Sequence, residues 1–460
     1  MKQQPNVLWI LADQLRAQAL SFRGDPNVNT PHIDTLACEG VSFDAAVSGT
    51  PLCTPFRGSL LTGLYPHRAE TAAGHNFALP ETTPTVAHAF AANGYRTCWI
   101  GKWHLDGDRP ELGQPAGKDT SRERLIPPHR RGGFQHWRGF ELSNRPFDTS
   151  VNVDRGGATV MERLPGYQTD ELTSLMIEWL QETQERRPQQ PWFACLSVEA
   201  PHNPYTAPAE NMARHTPGMV TLRPNVPAVG RIEAQARREL AGYYAGIERL
   251  DASIGRIRQT LAQLGIADDT YIVVFGDHGD MHGSHGHFRK TCPWEEAIRI
   301  PFVVGGPSRH HNDPKTVPYP LNHVDIAPTT LGLCGIAKPE TMQGHDYSRF
   351  IRDGDEPAAD DAPDSAYLSL PAPTGHEDSI DREFRGIVTV DGWKYVALQG
   401  QPWLLYNLNE DPYEQVNLAH NTKAQAKRAL LNARLRRWIR ETGDSFDLPD
   451  VGETDKEERT

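Results

Sequence analysis

The chain alternates short apolar runs with longer stretches whose apolar residues recur every three or four positions. Residues 7–11 form a nearly continuous apolar run that closes on Asp13-Gln14. This is the pattern of a strand buried on both faces of a sheet. Residues 95–100 repeat it and close on Gly101-Lys102-Trp103-His104. So do 192–198, before Glu199-Ala200-Pro201-His202, and 271–275, before Gly276-Asp277-His278-Gly279. Residues 302–304 predict a fifth short strand. Helical patterns lie between these runs. One is short, from Thr30-Pro31 through Leu36; one covers 85–92 and is stopped by Asn93-Gly94; one begins at Thr169 with Leu172, Met176 and Leu180 on one face. The strongest carries Leu240, Tyr244, Ile247, Leu250, Ile254, Ile257, Leu261 and Leu264 before Gly265, and 323–332 predicts another. The alternation predicts an α/β fold, a central mostly parallel sheet flanked by helices. In such folds ligand groups gather at the carboxyl ends of the strands.

Residues 106–160 and 203–233 are rich in Gly, Pro and polar side chains and read as long surface loops. After about residue 345 the texture changes. The acidic, turn-rich stretch 352–364 marks a boundary. Residues 385–390 and 393–398 flank Asp391-Gly392, a hairpin signal, and 422–438 is an amphipathic helix with Leu430, Leu431, Leu435 and Trp438. The expected division is a catalytic unit over 1–345, a smaller α+β unit over 346–440 and an acidic tail over 441–460.

Charge narrows the function. With 47 basic against 59 acidic residues the formal net charge is -12, the reverse of a nucleic-acid binder. A small anionic substrate stays open, because a local cluster of cations dominates a small pocket. Six Cys stand singly at 38, 53, 98, 195, 292 and 334, without a CxxC pair. A reducing compartment, the cytoplasm, is expected. No apolar run reaches the length of a membrane span, and the one at 7–12 is too short for a signal-peptide core. Nothing in the pattern fixes an oligomeric state, and a homo-oligomer is compatible with it.

The stretch 52–63, LCTPFRGSLLTG, stands apart from this background. Pro55 suits the first turn of a helix, which puts Cys53 at or just before a helix N-terminus. That position and the cationic Arg57 favour a negative charge. A buried structural thiol and a functional group both fit this local chemistry. Asp13, Gln14, Asp277 and His278, at two strand ends, form an oxygen-rich donor set with one imidazole. Ca²⁺, Mg²⁺ or Mn²⁺ would suit it, the His tilting the choice from Ca²⁺ toward Mn²⁺. The alternative is that Asp277 caps a turn and His278 packs beneath it.

Cys53-Thr54-Pro55-Phe56-Arg57, with Leu60, Leu61 and Thr62-Gly63 behind it, resembles the signature of the formylglycine-dependent sulfatase family of the alkaline-phosphatase-like superfamily. Phe56 stands where Ser or Ala is more common in that signature. The resemblance implies that a formylglycine-generating enzyme, a transient partner, oxidises Cys53 to formylglycine, whose hydrate is the nucleophile and touches the metal. It favours the metal reading of Asp13, Gln14, Asp277 and His278. Gln14 replaces a second Asp, which resembles the subgroup of choline sulfatases and phosphonate monoester hydrolases. Lys102 and His104 in GKWHL resemble the family's Gly-Lys-x-His element. His202 in APHNPY resembles the His that meets the substrate oxygen, and Lys290, after GDHGDMHGSHGHFR, the Lys that clamps the sulfuryl group. His75-Asn76 resembles a position near the site. Of His282, His285 and His287, a supporting contact is expected rather than a second metal, with His285 the best candidate. The segments 321–333 and 403–419 also resemble family segments; the second implies a C-terminal domain around a four-stranded antiparallel sheet.

The implied chemistry is hydrolysis of an aryl or small alkyl sulfate. The metal, Arg57, Lys102 and Lys290 would neutralise the ester oxygens. One hydroxyl of the hydrate attacks sulfur, and His202, helped by Lys290, protonates the leaving alcohol. His104 takes the proton of the second hydroxyl, so that the aldehyde reforms from the covalent sulfo-enzyme and sulfate leaves. Rival readings are a phosphonate monoester or phosphodiester hydrolase with the same nucleophile, a metal phosphatase without it, and a non-catalytic binding protein with a relic site. Trp103, Trp137, Phe140 and Tyr205 are read either as an aromatic wall for the alcohol or as core.

Overall fold

The structure, a computed structural model, describes residues 4–71, 77–108, 122–307, 315–352, 361–376 and 378–451. Asn6–Asp13 is the centre of a ten-stranded sheet and is buried along its whole length. It pairs in parallel with Trp192–Pro201 on one side and Thr270–Gly276 on the other. That two-sided pairing explains its continuous apolar run. Val7, Trp9 and Leu11 face one helical layer, with Phe56, Leu60, Leu61, Phe90, Ile326 and Leu331. Leu8, Ile10 and Ala12 face the other, with Leu172, Met176, Leu240, Ile247, Leu250 and Ile254. Trp9 meets Phe193 and Phe275 edge-on, at 4.8 and 5.6 Å between ring centres.

Arg96–Lys102 joins in parallel beyond Trp192–Pro201, and His136–Phe140 beyond that. Five neighbouring strands therefore point the same way, and their carboxyl ends share one edge. On the far side Phe302–Gly305 runs antiparallel to Thr270–Gly276, followed by Val41–Phe43 and Lys315–Val317.

The expected surface loop over 106–160 is corrected in part. His136–Phe140 and the hairpin Ser150–Arg155 with Ala158–Arg163 extend the sheet to its edge. Residues 109–121 lie outside the described residues. The outer hairpin strand is mostly exposed, so it carries no apolar run to read. Its turn is Gly156-Gly157, both at positive φ, which is a hairpin signal in its own right.

The helix Gly230–Gln263 begins ten residues before the first apolar position of its sequence pattern. Residues 203–229 are loop apart from Ala209–Met212 and a single turn at Pro217–Met219. Beyond residue 360 a second sheet runs Ser365–Leu370, Phe384–Thr389, Trp393–Leu398 and Gln401–Asn407, antiparallel in chain order. Tyr367, Ile387 and Tyr395 pack on Leu431, Leu435 and Trp438 of the helix Gln425–Thr442. Leu368, Val388 and Val396 pack on Met281, Cys292, Trp294 and Ile298. The second sheet thus supports the segment that carries the last reactive groups of the first. Residues 353–360 of the expected boundary and 452–460 of the tail lie outside the described residues.

Candidate active site

Four neighbouring strands bring their carboxyl ends together: two end on Asp13 and Lys102, Asp277 follows a third, and His202 follows the strand between the first two. The helix Cys53–Thr62 points its first residue at them, with Leu52 as its N-cap. Asp13, Cys53, Asp277 and His278 are all buried, and one ligand atom from each lies within 4.8 Å of the others. Cys53 Sγ is 3.5 Å from Asp13 Oδ1, 3.2 Å from His278 Nε2 and 3.2 Å from Lys290 Nζ.

The donors are oriented before any ion arrives. His278 Nδ1 is 2.9 Å from the Gly279 carbonyl, which can only accept. Nδ1 therefore carries the proton, and the Nε2 lone pair faces Asp13 Oδ1 at 3.7 Å and Asp277 Oδ1 at 3.5 Å. Asp277 Oδ1 accepts the Gln14 and His278 backbone N–H groups at 2.8 and 2.9 Å. Two carboxylates and an imidazole lone pair, held inward without solvent, fit a divalent cation of the oxygen-preferring kind. Gln14 Oε1 faces the same space and accepts from Lys290 Nζ at 3.3 Å.

Cations ring the cluster. Arg57 is fully buried and donates from Nη1 to the Lys102 carbonyl at 3.0 Å and to Ser197 Oγ at 2.9 Å. Its Nη2 lies 3.4 Å from both Asp13 Oδ2 and Asp277 Oδ2. Lys102 Nζ reaches Asp13 Oδ2 at 2.6 Å. Burial opposes ionisation of Asp13, but the cations Lys102, Lys290 and Arg57 outweigh it and hold the carboxyl well below its usual range. Lys102 stays protonated for the reciprocal reason: burial disfavours its charge, and Asp13 more than restores it.

The helix start does not yield a thiolate, contrary to the charge expected from position alone. Burial, then Asp13, push the Cys53 thiol up to about 11, against the pull of Lys290 and Lys102. At neutral pH the surrounding side chains leave it a thiol, a poor nucleophile. His202 is held well below the imidazole range by burial and then by Lys290. Its Nδ1 lies 2.6 Å from the Asn203 carbonyl, so Nε2 accepts from Lys290 Nζ at 3.3 Å. His104, at φ 58°, is buried beyond Lys102, and its carbonyl accepts from Thr54 Oγ1 at 3.3 Å.

The remaining sequence candidates divide. Tyr205 accepts from Gln14 Nε2 at 3.2 Å and donates to Asp280 Oδ2 at 2.7 Å, so it borders the site. Of the two readings of Trp103, wall or core, its packing is that of core: it is fully buried and packs edge-on against Trp99 and Trp137. His285 stacks on Trp294 and takes its place beside Asn225, facing the second sheet. It lies with Glu296 and Glu414 in a second potential metal-binding group. Arg223 on Glu296, and Lys394 on Glu414 and Glu295, already balance those carboxylates, so an ion pair network accounts for the group. Asn76 lies outside the described residues. Sequence reasoning missed Ser197, Asp280 and Ser379. Asp280 had a signal, a second Asp within the same Gly-rich run as Asp277; Ser379 had none.

This fold and cluster define a hydrolase of the alkaline-phosphatase-like kind, with a cysteine-derived nucleophile at its centre. The sulfatase family profile matches residues 5–336, and the chain belongs to that family, in its formylglycine-using class. A second profile, the C-terminal region of N-sulphoglucosamine sulphohydrolase, matches 283–441. The chain is 34% identical to an ulvan-active sulfatase of Formosa agariphila over 97% of its length and 83% of the relative's. It is 28% identical to an endo-4-O-sulfatase of Bacteroides thetaiotaomicron, over 76% of this chain and 74% of that one. The crystal structure of a putative sulfatase YidJ from Bacteroides fragilis superposes with a TM-score of 0.84 at 26% identity, covering 97% of each chain. Among the described residues no helix is long and apolar enough to cross a membrane.

Proposed function

We propose that the protein hydrolyses a sulfate monoester, with residue 53 as formylglycine supplying the nucleophile. The observation that carries this is the position of Cys53 Sγ, within 3.5 Å of Asp13, His278 and Lys290 at once. An oxygen nucleophile there meets the metal ligands and the anion clamp together. Asp13, Asp277, His278 and the Gln14 carbonyl would hold a divalent cation, Ca²⁺ or Mn²⁺ before Mg²⁺, which supplies Lewis-acid stabilisation of charge on oxygen.

The chain's own groups do the rest. Lys102 and Arg57 hold Asp13 ionised and in place, Arg57 also braces Asp277, and Arg57 is itself fixed by Ser197. Lys290 binds the ester oxygens, since its Nζ borders residue 53 and Gln14. The leaving alcohol takes its proton from the Lys290–His202 pair. Because His202 Nε2 accepts from Lys290, that proton is held at Lys290 Nζ and relayed along the shared hydrogen bond. His104, buried next to the Thr54 turn, serves as the base that reopens residue 53 after sulfuryl transfer.

The sequence alone pointed to an aryl or small alkyl sulfate. The ulvan-active relative, at 34% identity over nearly the whole chain, supports a carbohydrate sulfate as the first ester to assay. The six unpaired cysteines support a cytoplasmic setting. Lys102 and His104 favour sulfate over a phosphonate monoester, because they add charge and proton capacity around a group bound whole in the pocket. The test is a parallel assay of 4-nitrophenyl sulfate, choline sulfate, a sulfated ulvan oligosaccharide and a phenyl phosphonate monoester, with mass analysis of the peptide holding residue 53. Higher kcat/KM on a sulfate and an aldehyde mass are expected. Full turnover with an unmodified thiol, or preference for the phosphonate, overturns the reading.

A further inference from the structure

Asp280 has no place in the scheme above, yet it is fully buried beside the cluster and accepts four hydrogen bonds. Its Oδ2 takes Gln14 Nε2 at 2.5 Å and the Tyr205 hydroxyl at 2.7 Å. Its Oδ1 takes the backbone N–H of His282 at 2.9 Å and of Arg289 at 3.0 Å. We propose that Asp280 is a positioning residue, one carboxylate that fixes both the Gln14 carbonyl oxygen and the turn carrying Lys290. The inference rests on the reading of Gln14 as a cation ligand.

A Gln side chain can present either end of its amide, and its shape alone does not choose. An ionised carboxylate only accepts, so Asp280 compels Gln14 to turn its NH₂ outward. The carbonyl oxygen then faces the opposite way, 3.3 Å from Lys290 Nζ and toward the cluster. Gln14 is pinned at its backbone as well, at φ 69° with its N–H on Asp277 Oδ1.

The other oxygen of Asp280 acts on the clamp. Arg289 and Thr291, on either side of Lys290, both have left-handed backbones, at φ 68° and 64°. For a β-branched residue such as Thr291 this is a true outlier, held only because its surroundings over-determine it. Asp280 grips the turn at Arg289. Ser379, from the second sheet's first loop, grips it at Lys290, accepting from its N–H at 3.3 Å and donating to its carbonyl at 2.5 Å. Asp280 touches Gln14 through one oxygen and the backbone of this turn through the other.

Asp280→Asn separates the two grips. The new Oδ1 still accepts both backbone N–H groups, but the new NH₂ opposes that of Gln14, which turns its amide over. The readout is calorimetric titration of the chelator-stripped, full-length protein with Ca²⁺ and with Mn²⁺. Cation affinity is expected to fall about tenfold or more in Asp280→Asn, in the range seen for groups that orient metal ligands. Gln14→Ala is expected to fall similarly, and the double variant no further than Gln14→Ala alone. Tyr205→Phe, which leaves the carboxylate in place, gives a second reading: a loss of about threefold with Gln14 present and none in its absence. Undiminished affinity in both Asp280→Asn and Tyr205→Phe, or losses that multiply with that of Gln14→Ala, overturns the positioning role. Undiminished affinity in Gln14→Ala overturns the ligand reading itself, and the inference with it.

Discussion

Lys102 Nζ lies 2.6 Å from Asp13 Oδ2, and neither side chain is exposed to solvent. The pair spans two strands that do not touch, since Trp192–Pro201 runs between them. Removing Lys102 leaves the buried Asp13 charge with only the longer Arg57 contact at 3.4 Å, and breaking a buried pair costs about 3–5 kcal/mol. Lys102→Met is therefore expected to lower the unfolding free energy by about that amount. The pH dependence should also change. Asp13 has its folded pKa depressed, so its contribution is present above the usual carboxylate range and is lost as pH falls through the folded value. Without Lys102 the folded value rises toward the unfolded one, so that loss is smaller and is complete at higher pH. Urea unfolding of both proteins across the acid range checks both points, and an unchanged midpoint would show that the pair adds nothing.

Gly101 precedes this Lys and is held at φ 109°. A Cβ there would lie 1.8 Å from the Ser197 carbonyl oxygen of the neighbouring strand. Both the conformation and the contact require glycine. Gly101→Ala must break the pairing that positions Lys102 and, through Ser197, Arg57. A loss of more than about 3 kcal/mol is expected, with activity falling in the fraction that folds. Denaturant midpoints and specific activity of the soluble protein measure the two effects separately.

The central strands were legible because burial on both faces leaves an uninterrupted apolar run, as in Asn6–Asp13. The helix at Cys53 was legible from Pro55, and the long helix from its three-and-four spacing. Ser150–Arg155 and Ala158–Arg163 were not. At the sheet's edge only one stretch of the pair is covered, as Val151 and Val153 are while Val160 and Met161 are not. Reactive groups at strand ends could be picked out, since parallel strands bring their ends together. Ser379 could not. It reaches Lys290 only because the second sheet packs against residues 281–298, a contact between segments nearly ninety positions apart that no local pattern records.

His323 offers a titration well away from the nucleophile's own contacts. It is fully buried, stacks on Phe56 at 5.2 Å and accepts the Gly49 N–H at Nδ1. Burial lowers its pKa to about 3. Below its unfolded pKa of about 6.5 the unfolded chain binds a proton that the folded chain refuses. The sign follows: this residue makes stability fall as pH drops from about 6.5 toward the folded value, by about 1.4 kcal/mol per pH unit. His323→Gln keeps an acceptor for Gly49 and removes the titration. Its stability is expected to depend on pH less steeply by about one proton between roughly pH 6 and 4. Equal slopes in the two proteins would place the imidazole's proton elsewhere.

A cation held by Asp13, Asp277 and His278 should stabilise the fold as well as serve the reaction. Asp13 and the adjacent pair Asp277-His278 come from strand ends far apart in the chain, so the unfolded chain has no comparable site. Binding to the folded state alone contributes RT ln(1 + [L]/Kd), about 2.7 kcal/mol at a hundredfold excess over Kd. Chelation is expected to lower the thermal midpoint and abolish turnover, and excess Ca²⁺ or Mn²⁺ to restore both. His278→Ala tests whether the effect belongs to this site. The ring supplies an inward Nε2 lone pair fixed by the Gly279 carbonyl, and its loss should make the midpoint insensitive to chelator while the fold persists. A His278→Ala protein that still gains stability with added cation would bind it somewhere else. Melting curves with chelator, with Ca²⁺ and with Mn²⁺ on both proteins decide the matter, and the larger shift identifies the preferred ion.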